Sequence, residues 1–255
     1  MFLANAKVDS VTQIGTNVFL LKLQSDKIAA NAKPGQFVNI KVSNSNFPLL
    51  RRPFSICNVE GDYFTIMFTS VGEGTLVLQK KQKGEFVDVM GSAGNGFSLD
   101  GNYEKAIIVA GGIGAAPFPF LIKELEKIGK EIICFSGGRT KNDCITYEMK
   151  NVSTATDDGS FGFKGTVVEL LSSEIDRYKN ERIKIFGCGP NAMLKSLQQF
   201  CFTRNIEAEI STESSMACGF GICQGCPVQS ATDKNKFLLV CKDGPVFNVK
   251  DIELP

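Results

Sequence analysis

The stretch Lys105-Ala-Ile-Ile-Val-Ala-Gly-Gly-Ile-Gly-Ala-Ala-Pro117 decides how the rest of the chain is read. Its unbroken apolar run from Ala106 to Ala110 has the character of a strand buried on both faces, as in a parallel sheet. Gly111, Gly112 and Gly114 then permit a tight turn. A helical stretch follows with Leu121, Ile122, Leu125 and Ile128 on one face and Gly129 as its stop. The same device recurs downstream. Glu131 to Ser136 reads as a strand, Thr166 to Ser172 as a helix and Arg182 to Phe186 as a strand, and a helix from Pro190 carries Met193, Leu194, Leu197, Phe200 and Cys201 on one stripe. Strand–helix alternation predicts an α/β domain over residues 102–210 whose parallel sheet is covered on both faces.

Upstream the rhythm is different. Val18 to Leu23, Gln36 to Val42, Tyr63 to Phe68 and Glu85 to Met90 are short alternating runs separated by Gly, Pro and Asn, which predicts an antiparallel β-barrel over residues 1–101. Thr75 to Lys81, opened by Gly72-Glu-Gly-Thr75, reads as the barrel's single helix. Residues 211–255 hold four of the nine cysteines between Cys218 and Cys241, a segment too small for a core of its own and therefore in need of a staple. The fold class expected is multi-domain β plus α/β with a small C-terminal domain, without internal repeats.

Composition narrows the chemistry. The 255 residues suit two compact domains and an appendage. Lys and Arg number 28 against 27 Asp and Glu, with no long run of either sign, which argues against nucleic-acid and anionic-membrane partners. The apolar runs fall well short of the roughly 20 residues needed to span a bilayer. Met1 to Gln13 lacks the build of a signal peptide, so a cytoplasmic location is expected. Thiols stay reduced there, and nine cysteines are then buried, reactive or metal-bound rather than paired. The chain has no histidine, which removes Ser-His-Asp and Cys-His nucleophiles, His-containing zinc sites and Rieske clusters together.

Three constellations carry chemistry. In Cys218-Gly-Phe-Gly-Ile-Cys223-Gln-Gly-Cys226, closed by Cys241, the gaps of four, two and fourteen residues match a plant-type [2Fe-2S] loop, although the last gap is shorter than in plant ferredoxins. A structural zinc site or buried thiols are the alternatives; zinc ribbons usually offer two Cys-x2-Cys knuckles instead. Second, Arg51-Arg52-Pro53-Phe54-Ser55 alone is an ordinary strand start. With Gly72 to Thr75 opening a helix, it offers a guanidinium and a helix N-terminus, both suited to pyrophosphate oxygens. Third, Gly111 to Pro117 and Phe186-Gly-Cys188-Gly189-Pro190 place two glycine turns at carboxyl ends of strands, where a nucleotide crevice forms, though neither is a full Gly-x-Gly-x-x-Gly. Cys188 there is a packing thiol or a residue facing nicotinamide. Cys57, Cys134, Cys144 and Cys201 read as packing residues.

The order of Arg-Pro-Phe-Ser, Gly-Gly-Ile-Gly-Ala-Ala-Pro and Cys-Gly-Pro resembles the ferredoxin-NADP reductase superfamily. The four-cysteine tail and Asp243-Gly-Pro-Val-Phe247 narrow that to the electron transfer subunits of class 1B dihydroorotate dehydrogenases. The resemblance implies that Arg52, Pro53, Phe54 and Ser55 hold FAD, with Ser55 near the flavin's reactive nitrogen. It also implies that Phe68, Thr69 and Ser70 line the flavin and that Gly74 and Thr75 meet its pyrophosphate. Gly111, Gly112, Gly114, Cys188, Gly189 and Pro190 would take NAD. Cys218, Cys223, Cys226 and Cys241 would ligate one [2Fe-2S] cluster. It implies no catalytic side chain here, an FMN-containing catalytic subunit as partner in a heterotetramer, and electron flow from dihydroorotate through FMN, cluster and FAD to NAD+. Ser136-Gly-Gly-Arg139 leaves NAD against NADP open, since Arg139 could meet a ribose phosphate. Subunits of ferredoxin reductase, sulfide dehydrogenase or anaerobic sulfite reductase would share these motifs. A zinc-stabilised interaction or sensing module is the reading from another class.

Overall fold

The computed structural model describes residues 1–43 and 47–254. Strands β1 (Phe2–Gly15), β2 (Val18–Gln24), β3 (Phe37–Lys41), β4 (Arg52–Glu60), β5 (Tyr63–Thr69) and β6 (Phe86–Ala93) close into a barrel in the order β1-β2-β5-β4-β3-β6. Alternation explains the closure: Val38, Ile40, Ile56, Phe64, Ile66, Val87 and Val89 point inward into one core, which removes the free sheet edges. Two helices accompany the barrel rather than the single one expected. Besides α2 (Glu73–Gln79), α1 (Asp26–Asn31) plugs the barrel with Ile28 and Ala29. Six residues with one short apolar pair are too few to leave a helical period in the sequence.

Beyond the barrel lie β7 (Lys105–Gly111), α3 (Phe118–Lys127), β8 (Glu131–Gly138), β9 (Val152–Thr156), β10 (Phe163–Lys164), α4 (Val167–Glu174), β11 (Ile183–Cys188), α5 (Asn191–Arg204) and β12 (Glu207–Ser211). Along β7 the side chains divide by period two. Ile107 and Val109 pack with Leu171 of α4 and Leu194 and Leu197 of α5, whereas Ala106, Ile108 and Ala110 pack with Leu121 and Leu125 of α3. The sheet order β10-β9-β8-β7-β11-β12 reverses direction between β7 and β11. That reversal is a topological switch point, where a crevice opens beyond the strand carboxyl ends.

The C-terminal segment contributes β13 (Pro227–Ser230), β14 (Phe237–Leu239), β15 (Val246–Asn248) and β16 (Ile252–Glu253). β14, β13 and β16 form a small sheet, while β15 pairs antiparallel with β12, so the large sheet is parallel through β12 and gains one antiparallel edge strand. The segment shares its core with the α/β unit: Cys226, Val228, Val240, Cys241 and Phe247 pack with Ile185, Ile210 and Phe37. Among the described residues no helix is long and apolar enough to cross a membrane.

Candidate cofactor sites

Arg52 opens β4, and its side chain lies against the first turn of α2. Its Nε and Cγ stand 3.5 and 3.6 Å from the place a Cβ on Gly74 would occupy, so the guanidinium stem packs directly on the helix start. The hydroxyl of Thr75 is used within the helix: it accepts from the amides of Val71 and Gly72, both at 3.1 Å, and donates to the Gly72 carbonyl at 2.8 Å. The first-turn amides have no intrahelical acceptor. Nearby, Ser70 Oγ is buried without a hydrogen-bond partner among the described residues. Phe68 lies in the barrel core, stacked on Phe19 and edge-on to Phe54, with both ring centroids 5.8 Å away. Thr69 ends β5 opposite Val18.

Pro53, Phe54 and Ser55 line a cleft of about 120 Å³ whose opposite wall is Ser211, Thr212, Glu213, Ser214 and Met216, with Phe37 and Pro245 beside them. Desolvation pushes the Glu213 carboxyl up. Cys188 stands behind this wall at 3% exposure, in register with Ser211. Burial, and then the charge of Glu213, push its thiol far above the ordinary range. Residues 211–216 went unremarked in the sequence. The signal was two polar residues, Ser211 and Thr212, directly after the apolar strand end at Ile210; both are buried.

The two glycine turns meet each other. A Cβ on Gly114 would lie 2.4 Å from the Cys188 carbonyl oxygen, and one on Gly189 would lie 3.1 Å from Gly111 Cα. Gly111 likewise leaves room for Pro190 and Met193. Gly112 differs: its φ is +54° and a Cβ there would meet nothing closer than 3.9 Å. These turns meet at the carboxyl ends of β7 and β11, at the switch point of the sheet. Arg139, from the end of β8, is exposed and 4.0 Å from Asp143.

Cys241 lies beside the Cys218–Cys226 loop. Gly219 and Gly221 (φ +77° and +89°) and Gln224 (φ +55°) wind the loop so that backbone amides aim at sulfur. Phe220 and Cys223 donate N–H to Cys218 Sγ at 3.5 and 3.4 Å. Gly225 donates to Cys223 Sγ, and Cys241 to Cys226 Sγ, each at 3.4 Å. Desolvation acts to raise the Cys218 thiol, and the Cys223 and Phe220 amides overcome it, bringing it down to about 6. Cys241 is pushed up to about 12 by burial and then by the adjoining Cys226 thiol. Cys218 interacts with Cys223, and Cys241 with both Cys226 and Cys218. Among the described residues no group of three or more Cys, Asp or Glu side chains gathers around one point. The amides aimed at the sulfurs of Cys218, Cys223 and Cys226 favour thiolate, the form that ligates a metal.

A family model described as the iron-sulfur cluster binding domain of dihydroorotate dehydrogenase B matches residues 213–253. Over the full length, the chain is 38% identical across 261 aligned residues to a dihydroorotate dehydrogenase B (NAD(+)) electron transfer subunit of Bacillus mycoides, covering 98% of both. The homologue of that name in Desulforamulus reducens is 37% identical, covering 95% of both. The chain belongs to this family of electron transfer subunits. Among solved structures, that of an NADH-dependent reduced ferredoxin-NADP oxidoreductase superposes with a TM-score of 0.81 at 26% identity, covering 98% of this chain and 90% of that one. Phthalate dioxygenase reductase, at 18% identity and a TM-score of 0.63 over 89% of this chain and 72% of its own, shares the fold with this dihydroorotate dehydrogenase B family member.

Proposed function

We propose that this chain is the electron transfer subunit of an NAD-linked dihydroorotate dehydrogenase, holding one FAD and one [2Fe-2S] cluster beside an FMN-containing catalytic partner in a heterotetramer. The observation that carries the reading is contiguity. Residues 211–216, which face Pro53, Phe54 and Ser55 across the cleft, run directly into Cys218 of the cysteine loop, so the flavin and cluster sites share one wall. When bound, the cluster supplies one-electron transfer to and from the partner, and the flavin supplies the two-electron exchange with the nicotinamide.

The chain's own residues bind and orient. Arg52 and the α2 amides at Gly74 and Thr75 hold the pyrophosphate of FAD, and the unpartnered Ser70 hydroxyl, with Thr69, meets the flavin nucleotide. Pro53, Phe54 and Ser55 set the ring plane, Ser55 offering its hydroxyl across the cleft from Glu213. Phe68 supports this wall from inside the barrel through Phe54. Gly112 leaves space for the dinucleotide on the floor built by Gly111, Gly114, Cys188, Gly189 and Pro190. Cys218, Cys223, Cys226 and Cys241 ligate the irons, with amides already directed at sulfur. Nine unpaired cysteines fit a reducing compartment, and we place the protein in the cytoplasm.

The test is anaerobic purification with the catalytic partner, followed by iron, sulfide and flavin analysis and NAD+-dependent oxidation of dihydroorotate. Cys223→Ala is expected to retain NADH-dependent dye reduction and to lose coupling between dihydroorotate and NAD+. Undiminished coupling in that variant would refute the relay.

A further inference from the structure

Asn39 is the one fully buried side chain whose two polar atoms both lack a hydrogen-bond partner among the described residues, at 0% exposure. It lies on β3 between Val38 and Ile40, which point into the barrel core, so Asn39 and its second neighbour Phe37 point outward. Phe37 packs in the same apolar cluster as Cys226 and Cys241. Asn39 Nδ2 itself lies 2.2 Å from the position of a Cβ on Gly219, the residue after Cys218, and Met90 Cε lies 3.4 Å from that position. The amide therefore fills the space a side chain at 219 would take.

Neighbouring charges do not satisfy it. The Arg51 guanidinium is directed to the backbone carbonyls of Asn39 at 3.4 Å and Asp88 at 3.1 Å, and to Asp88 Oδ2 at 2.8 Å. An amide buried with neither donor nor acceptor used is costly. The donor half of that cost is removed if the NH2 group, the end facing the loop, gains an acceptor there. The acceptors a loaded cysteine loop adds are sulfurs carrying negative charge, and hydrogen bonds to such sulfurs are among the determinants of a cluster's potential.

We propose that Asn39 is a positioning residue for the cluster, its Nδ2–H donating to the sulfur shell on the barrel side of the Cys218 loop and favouring the reduced cluster. This rests on the [2Fe-2S] reading of the four cysteines. A donor to sulfur stabilises the extra negative charge of the reduced state, so its removal lowers the midpoint potential. Gly219 then has two reasons to be glycine, its positive φ and the room it leaves for this amide.

The experiment is an EPR-monitored redox titration of the intact complex carrying Asn39→Leu, near in size but without a donor, and Asn39→Asp, which exchanges the donor for a charge. Iron, sulfide and flavin contents serve as the measure of loading. Asn39→Leu is expected to shift the reduced-to-oxidised ratio at fixed ambient potential about tenfold toward the oxidised cluster, equivalent to about 59 mV for a one-electron couple. Asn39→Asp is expected to shift it further in the same direction. Should Asn39→Leu fail to load, Asn39→Ala, equally without a donor and without added charge, takes its place with the same expected shift. Fully loaded variants with the wild-type potential and EPR signal would overturn the proposal and leave the cluster reading standing. Wild-type complex free of iron and sulfide would overturn both.

Discussion

In the paired turns of the α/β sheet, Gly111, Gly114 and Gly189 are small because the chain's own atoms crowd them, and the cysteine among them, Cys188, is sealed in with its thiol pushed up by burial. In the loop from Cys218 to Cys226, Gly219 and Gly221 take positive φ, amides converge on sulfur, and the Cys218 thiol is brought down to about 6. The two regions use the same residue types, glycine and cysteine, in close sequence. What separates them is what the glycines serve. In the turns they let neighbouring backbone and side chains approach; in the loop the N–H groups face the sulfurs and favour thiolate, the form that binds metal.

Placing one substitution in both regions tests this contrast most strongly. Cys226→Ala should abolish iron and sulfide binding, measured by chemical analysis of anaerobic protein. Cys188→Ala should leave both at wild-type levels and cost about 1 kcal/mol of stability in denaturant unfolding. Equal cluster content in the two variants would break the comparison. Next in size, Gly114→Ala places a Cβ 2.4 Å from a backbone carbonyl that cannot swing aside. The resulting overpacking should cost about 1–3 kcal/mol. A melting temperature lower by several degrees is the expected result, and an unchanged one would show that the turn yields.

Alkylation sharpens the contrast further. At pH 8 the native chain should leave Cys134 and Cys201 unmodified, because burial pushes both thiols to about 12 and keeps them protonated. Cys188 should behave likewise. Exposed Cys223 should react only after iron has been stripped, a pattern read by peptide mass spectrometry. The smallest effect concerns α4, whose Val167 packs on Gly137 at the end of β8. Its cap pairs Thr166 and Glu169, and the Thr166 amide, then its hydroxyl, hold the Glu169 carboxyl below the usual range. A lowered carboxylate stabilises above its unfolded pKa and loses that stabilisation as pH falls through the folded value. Glu169→Gln should therefore lower the melting temperature slightly at pH 7, with the difference vanishing in acid.

Much of this architecture could be read directly. The run at Ala106–Ala110 with its glycines marks β7 and the turn into α3, and the cysteine spacing from Cys218 to Cys241 marks the iron-sulfur binding domain that the family model matches, since both signals lie within short stretches. Other features were illegible for a common reason. α1 is too short to repeat a period. The pairing of β15 with β12 joins residues far apart along the chain. The Thr75 hydroxyl serves its own helix, and Phe68 packs in the barrel core against Phe54, distinctions that depend on side-chain direction.

Residue order alone specified which atoms can bind: a guanidinium, glycine amides and four thiols, with histidine chemistry excluded. Their division into cleft, paired turns and cysteine loop came from folding, because it depends on contacts between distant segments. Residues 211–216 reach Ser55 because β12 ends the sheet beside the barrel, and Asn39 meets Gly219 because β3 turns that one face outward. Periodicity reports which side of an element is buried, but the partner that buries it is chosen only when the chain closes on itself.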